Sequence, residues 1–92
     1  MSVRALEQTA AIRLLLLLAK HGKMSMLDIR YNLDASNTAI YNAIKKLSEA
    51  GLVNDEYEEK FPRRRLISLT EKGRRVAELL AQVEAILEGK EG

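Results

Sequence analysis

Apolar residues recur at helical spacing along the first half of the chain and predict three helices there. The first helix is expected from Val3 to His21, because a leucine run fills its centre and Gly22 is suited to the left-handed turn that ends many helices. The leucine run leaves few polar positions in this segment. We therefore expect this helix to be nearly enclosed by the rest of the fold.

The next two predicted helices are short and follow each other closely. Ser25 is placed to cap a helix over about Met26 to Asn32, and Ser36 is placed to cap a third helix that ends at Gly51. The apolar residues of the third helix form one stripe, made of Ile40, Ala43, Ile44 and Leu47. Two short helices separated by a few residues are typical of a helix-turn-helix.

The hydrophobic period changes after the third helix. Leu52, Val53 and Tyr57 favour a strand, residues 60–63 contain a turn, and Leu66 to Leu69 favour a returning strand. A last helix is predicted over about residues 71–88 and would be about 25 Å long. Because a small domain needs less than this length to cover its own core, we expect the distal half of the helix to pack on a second subunit.

The chain has 92 residues and no cysteine. This length predicts a single domain over residues 1–92, and without disulfides its stability should depend on helix packing or on a partner subunit. The most apolar segment, Leu14 to Leu18, is far shorter than the roughly 20 residues that a membrane span needs. No signal-peptide pattern is visible, so a cytoplasmic location without a membrane partner is expected.

The net charge is only +2, but the charges are distributed unevenly. Residues 60–75 hold 7 Lys or Arg against 1 Asp or Glu, whereas residues 36–59 and 76–92 each carry a net charge of −3. One short segment therefore carries the basic character of the chain. It coincides with the predicted hairpin and the start of the last helix.

Three segments carry a family resemblance: Ser36 to Leu47, Glu49 to Val53, and Leu69 to Arg74. In the order helix, helix, helix, strand, turn, strand, helix, they resemble the winged helix-turn-helix transcription regulators of bacteria and archaea, near the MarR, PadR and ArsR groups. The resemblance implies a mainly helical α+β fold with three helices, a two-stranded β-hairpin wing and a long C-terminal helix. It also implies that the first segment is a DNA-recognition helix.

The face of the third helix opposite its apolar stripe carries the residues expected to reach a DNA groove. Asn42 is suited to an adenine edge, Thr38 and Tyr41 to a thymine methyl group or a phosphate, and Lys45 to guanine or the backbone. The full predicted set is Ser36, Asn37, Thr38, Tyr41, Asn42 and Lys45. The alternative is an ordinary solvated helix face, on which such residues are common.

Four cations cluster in the predicted wing, namely Lys60, Arg63, Arg64 and Arg65. On a strand, Arg63 and Arg65 would point one way and Arg64 the other, and at least one should reach the minor groove or its flanking phosphates. Alternatively, these cations only keep an edge hairpin soluble and pair with the acidic residues Glu56, Glu58 and Glu59. Phe61 is expected to pack on Tyr57 rather than to act as a wedge in DNA.

These patterns predict a sequence-specific regulator that binds double-stranded DNA as a homodimer. The dimer contact is expected on the last helix, at Leu79, Leu80, Val83, Ile86 and Leu87. Two successive major grooves, about 34 Å apart, would receive the two recognition helices. The sequence does not indicate which small-molecule effector, if any, acts on the protein.

Other functional classes are less well supported by the residues. No catalytic constellation, phosphate-cradling glycine loop or metal-ligand set is present, so neither an enzyme nor a cofactor is expected. The main alternative is a winged-helix module that binds protein instead of DNA, which would be expected to carry an apolar patch on the recognition face. A dimeric structural protein that uses the same dimer surface is a third hypothesis.

Overall fold

The computed structural model describes residues 3–90, and within them it contains five helices and a three-stranded sheet. In chain order the elements are a 3₁₀ helix Val3–Glu7, α1 Ala11–His21, β1 Met24–Ser25, α2 Met26–Asn32, α3 Asn37–Glu49, β2 Val53–Tyr57, β3 Arg65–Leu69 and α4 Glu71–Leu87. The predicted mainly helical α+β fold, with a hairpin wing and a long C-terminal helix, is confirmed.

The prediction of one continuous first helix is wrong. A turn separates the 3₁₀ helix from α1, and Ala10 within it has a left-handed backbone with φ of 72°. The turn lets Ala5 and Leu6 fold back onto the hydrophobic core, next to α1 and α3. Tertiary packing of these two side chains overrides the helix propensity of the segment.

The two short helices begin where the sequence predicts. The hydroxyl of Ser25 accepts a hydrogen bond from the backbone N–H of Asp28, and the hydroxyl of Ser36 accepts one from Ala39, each at 3.1 Å. Each serine thus satisfies one of the N–H groups left open at a helix N-terminus. The turn between α2 and α3 is fastened to α1 by Arg13, whose Nη1 donates to the carbonyl oxygen of Asp34 at 2.9 Å.

The sheet has the order β1-β3-β2, with all neighbouring strands antiparallel. Strands β2 and β3 form the predicted hairpin, with Val53 opposite Leu69 and Tyr57 opposite Arg65. Strand β1 was not predicted, because two residues are too few to produce an alternating pattern. Its Met24 lies opposite Ile67 of β3 and is buried.

A tight junction connects the end of α3 to the start of α4. The Thr70 hydroxyl donates to the carbonyl oxygen of Gly51 at 2.6 Å and accepts from the backbone N–H of Gly73 at 2.9 Å. The Thr70 N–H donates to the carbonyl oxygen of Leu52 at 3.1 Å. Gly73 packs directly on the backbone of Leu52, where a Cβ atom would overlap the carbonyl oxygen. The junction therefore holds the hairpin and α4 at a fixed position relative to α3.

The hydrophobic core lies between α1, α3 and the sheet. Its largest fully buried side chains are Leu14, Leu15, Leu18, Ile29, Ile40, Ile44, Leu47 and Ile67. From α4 only Gly73 and Ala77 are buried, and both belong to its first half. No helix within residues 3–90 is long and apolar enough to cross a membrane.

Candidate nucleic-acid interface

The outward face of α3 is polar and exposed. Its apolar residues Ile40, Ala43, Ile44 and Leu47 are fully buried, which fixes the rotation of the helix. The six side chains predicted for DNA contact are consequently all on the surface: Ser36, Asn37, Thr38, Tyr41, Asn42 and Lys45. Within residues 3–90, the side chains of Thr38, Asn42 and Lys45 make no hydrogen bond or ion pair with another residue, so their polar atoms are available to a ligand.

A polar groove lies beside the N-terminal half of α3. The turn before α1 contributes Gln8 and Thr9 to it, and α3 contributes Thr38, Ala39 and Asn42, next to the capping Ser36. Sequence reasoning missed Gln8 and Thr9 because it placed both in a continuous helix. No local sequence signal marks the turn, since its left-handed residue is an alanine rather than a glycine.

The base of the wing contacts α3 through Arg65. The Arg65 guanidinium holds Asp55 with two hydrogen bonds, Nε to Oδ1 at 2.8 Å and Nη2 to Oδ2 at 2.6 Å. Its Cζ lies 5.4 Å from the centroid of the Tyr41 ring. The side chain is only 26% exposed, and its pKa is raised, chiefly by the hydrogen bonds to Asp55. Arg65 therefore links the wing to α3 instead of extending into solvent.

Arg64 is also engaged within the wing. Its Nε and Nη2 donate to the two carboxylate oxygens of Glu58 at 2.9 and 3.2 Å, and its backbone N–H donates to Oε1 at 3.1 Å. Hydrogen bonding from Arg64 lowers the pKa of the Glu58 carboxyl below its ordinary value. The pairing considered as an alternative from the sequence is therefore formed at Glu58, whereas Glu56 pairs at 3.4 Å with Lys23.

The tip of the wing carries Lys60 and Arg63, the other two cations that were predicted to contact DNA. Arg63 is in a turn with φ of 56°, closed by a 2.8 Å hydrogen bond from its N–H to the carbonyl oxygen of Lys60. The predicted strand alternation of Arg63, Arg64 and Arg65 is therefore wrong, because β3 begins only at Arg65. Within residues 3–90, neither the Lys60 nor the Arg63 side chain forms an ion pair.

Phe61 also lies at the wing tip and does not pack on Tyr57 as expected from the sequence. Its side chain is 94% exposed, the most exposed large apolar residue among those described. Tyr57 itself remains exposed on β2. The physical reason is that the register places Tyr57 opposite Arg65, whereas Phe61 lies four residues further along, in the turn beyond the strand.

A second exposed surface lies on α4. Leu79, Val83, Ile86 and Leu87 are each at least half exposed and follow one another at the spacing of a single helix face. Leu80, predicted to share this surface, is instead partly buried against the core of its own domain. No group of three or more His, Cys, Asp or Glu side chains within residues 3–90 is arranged to hold a metal ion.

The element order, the exposed α3 face and the basic hairpin define a winged-helix domain. The sequence matches the family model described as ArnR1-like, winged-helix domain, over residues 5–87, and the chain belongs to this family. The resemblance to winged helix-turn-helix regulators inferred from the sequence is thus confirmed. A search among curated protein sequences gives no match.

Solved structures of transcription regulators share the fold. A transcriptional regulator homologue from Pyrococcus horikoshii is 20% identical, with a TM-score of 0.80 over 97% of this chain and 90% of its own. A SlyA-like transcription regulator from Listeria monocytogenes is 20% identical, with a TM-score of 0.72 over 84% of this chain and 54% of its own. At these identities the similarity establishes the fold alone.

A third structure is more similar in sequence. The C30AH42A mutant of Lactococcus lactis ZitR, in its apo form, is 30% identical, with a TM-score of 0.78. The match covers 88% of this chain but only 61% of the ZitR chain. The present chain thus corresponds to part of the longer ZitR chain.

Proposed function

We propose that the protein is a sequence-specific regulator that binds double-stranded DNA as a homodimer, with α3 in the major groove and the wing tip against the minor groove. The observation that carries the proposal is the position of two features on one surface. The unpartnered polar side chains of α3 adjoin the wing through the contact between Arg65 and Tyr41. The wing ends in Lys60 and Arg63, which are available for phosphate.

Side chains on α3 would supply the sequence preference. An asparagine amide can pair with both the N6 and N7 positions of adenine, and Asn42 lies on the exposed face with its amide unpartnered among residues 3–90. Thr38 and Tyr41 adjoin it at the spacing of one helix face and suit thymine methyl groups or phosphates. The Ser36-capped N-terminus of α3 adds a partial positive charge for a phosphate.

A homodimer formed through α4 would double the surface that contacts DNA. The apolar stripe Leu79, Val83, Ile86 and Leu87 lies on the distal half of α4 and is not covered by its own domain. A second copy of the same stripe is complementary in chemistry, and a two-fold axis would present two α3 helices to successive major grooves. Because the net charge is only +2 and residues 60–75 carry most of the basic character, operator binding should depend on both wings.

The location of the exposed apolar side chains argues against a winged-helix module that binds protein through the α3 face. Such a module would be expected to expose apolar side chains on the α3 face, but that face is polar apart from the ring of Tyr41. The large apolar stripe is on α4 instead. A dimer contact on α4 and a polar ligand on α3 account for both surfaces.

Selection of bound duplexes from random DNA, followed by titration of affinity against salt, tests the proposal. We expect an enriched motif with two-fold symmetry and an affinity that falls linearly with the logarithm of salt concentration. Asn42→Ala should relax the preference at one base pair in each half-site, with little change elsewhere. Binding without an enriched motif would indicate a non-specific coating protein, and no binding at low salt would reject the proposal.

A further inference from the structure

The wing tip combines an exposed aromatic ring with unpaired cations. Phe61 is 94% exposed and is flanked in the turn by Lys60 and Arg63, whose side chains form no ion pair within residues 3–90. In the hairpin, Glu58 and Asp55 are neutralised by Arg64 and Arg65, whereas Glu59, next to Lys60, forms no ion pair within residues 3–90. The tip thus combines an apolar group with a net positive charge, from Lys60 and Arg63 against Glu59.

This combination needs a partner that is negative at its edges and apolar between them. Exposure of a whole phenyl ring to water is unfavourable relative to its burial. Residues 3–90 leave the ring almost entirely uncovered, and Tyr57, the aromatic residue closest in the hairpin sequence, does not cover it. The minor groove of DNA fits the requirement, because phosphates line its two edges, sugars form its walls and a partly unstacked base step offers apolar base faces to the ring.

We propose that Phe61 is a minor-groove reading residue, which inserts between the phosphate-bound side chains of Lys60 and Arg63 and favours A·T-rich or easily unstacked base steps. This inference rests on the proposed DNA-binding function and extends it from phosphate attraction to sequence preference at the wing. Apolar side chains that enter the minor groove act in this way by partly unstacking flexible steps. The guanine amino group, which projects into the groove, obstructs such a ring.

The test compares wild-type protein, Phe61→Ala and the control Tyr31→Ala on a selected operator. Tyr31 is also an exposed aromatic residue, but it lies on α2 outside the proposed surface. Each A·T pair in the sequence flanking the α3 contacts is replaced first by G·C and then by inosine·cytosine. Inosine lacks the guanine amino group, so inosine·cytosine keeps the minor-groove acceptors of A·T while changing the major groove.

Wild-type protein and Tyr31→Ala should bind the A·T and inosine·cytosine duplexes equally and the G·C duplex about tenfold more weakly. Phe61→Ala should bind the A·T duplex about tenfold more weakly, lose this discrimination and keep an unchanged salt slope.

Several results would overturn the inference. One is that Phe61→Ala binds all three duplexes as the wild type does, while the wild type still binds its operator, and this leaves the DNA-binding function intact. Another is that Phe61→Ala changes the subunit composition in the absence of DNA, which would assign the ring to a protein contact. Absence of operator binding by the wild type would instead reject the proposed function itself.

Discussion

The guanidinium carbon of Arg65 lies 5.4 Å from the centroid of the Tyr41 ring. This contact connects β3 of the wing to α3, and Asp55 holds the same guanidinium from β2. Arg65 was expected from the sequence to bind phosphate. Because Arg65 is paired with Asp55 and lies over the Tyr41 ring, we propose that it orients Tyr41 and fixes the angle between the wing and α3.

The double variant Arg65→Gln with Asp55→Asn replaces the ion pair with a neutral pair and preserves the net charge. It therefore distinguishes phosphate binding by Arg65 from orientation of Tyr41. We expect operator affinity to fall about twofold to fivefold, as loss of a cation–π contact of about 0.5–1 kcal/mol implies, with the salt slope unchanged. Binding curves at several salt concentrations measure both quantities. A decrease of the slope by about one would instead assign Arg65 to a phosphate contact.

Removal of the two cations at the wing tip should have the opposite signature. Lys60→Ala with Arg63→Ala is expected to weaken binding to all duplexes alike, because phosphate contacts carry no base information. The logarithmic salt slope should decrease by about 0.9 for each lost contact in each subunit. Lys20→Ala, on an exposed position of α1, is the control and should leave the slope unchanged. Equal slopes for the wing variant and the wild type would contradict phosphate binding by the tip.

A carboxylate placed within the apolar stripe of α4 should prevent dimerisation. Val83→Glu buries a charge if the stripe is a subunit contact, and substitutions at the centre of an interface can cost about 2 kcal/mol or more. We expect a monomer by sedimentation analysis and a marked loss of operator affinity. Ala81→Glu places the same charge on an exposed position about 160° around the helix from Val83, away from the stripe, and should remain dimeric. A dimeric Val83→Glu variant would exclude this face.

The pKa of the Glu58 carboxyl reports whether the ion pair between Arg64 and Glu58 forms in solution. Hydrogen bonds from Arg64 lower this pKa below its ordinary value of 4.5. The pair therefore stabilises the folded wing above the ordinary pKa, and the contribution is lost as the pH falls through the lowered pKa. Arg64→Ala should raise the pKa of Glu58 toward 4.5 in an NMR titration, whereas Arg63→Ala should not. An unchanged pKa in Arg64→Ala would show that the pair is not formed.

Local patterns predicted most of the fold and the location of the α3 face. The caps at Ser25 and Ser36, and the buried stripe of α3, depend on residues within four positions of one another, and periodicity detects them. The turn at Ala10 and the strand Met24–Ser25 depend instead on packing against distant residues. No pattern within either segment marks them.

Which wing cations pair with carboxylates was also not predictable, because the pairing depends on contacts between residues that are distant in sequence. The sequence shows four cations near several carboxylates but does not show which pairs form. Arg65 reaches Asp55 because the hairpin register places Tyr57 opposite Arg65 and Asp55 two residues away on the same face. Arg63 remains unpaired because it lies in the turn rather than in β3. Both outcomes require the register, which depends on the turn geometry.

The contact between Gly73 and the Leu52 backbone fixes the position of α4 relative to the end of α3. The residue packs against the Leu52 backbone, so the Cβ of Gly73→Ala would overlap the Leu52 carbonyl oxygen and push α4 away from the domain. Overpacking of this kind costs about 1–3 kcal/mol, and alanine regains up to about 1 kcal/mol through its helix propensity. Because the obstacle is backbone rather than a flexible side chain, we expect the steric cost to prevail.

Denaturant unfolding of Gly73→Ala should therefore give a free energy of unfolding about 1–2 kcal/mol below that of the wild type. Gln82→Ala, on an exposed position of the same helix, should stay within about 0.5 kcal/mol. Since α4 also carries the proposed dimer stripe, its displacement should weaken dimerisation as well, although Gly73 lies outside the stripe. Equal or greater stability of Gly73→Ala would mean that the contact between α4 and Leu52 is looser than the fold requires.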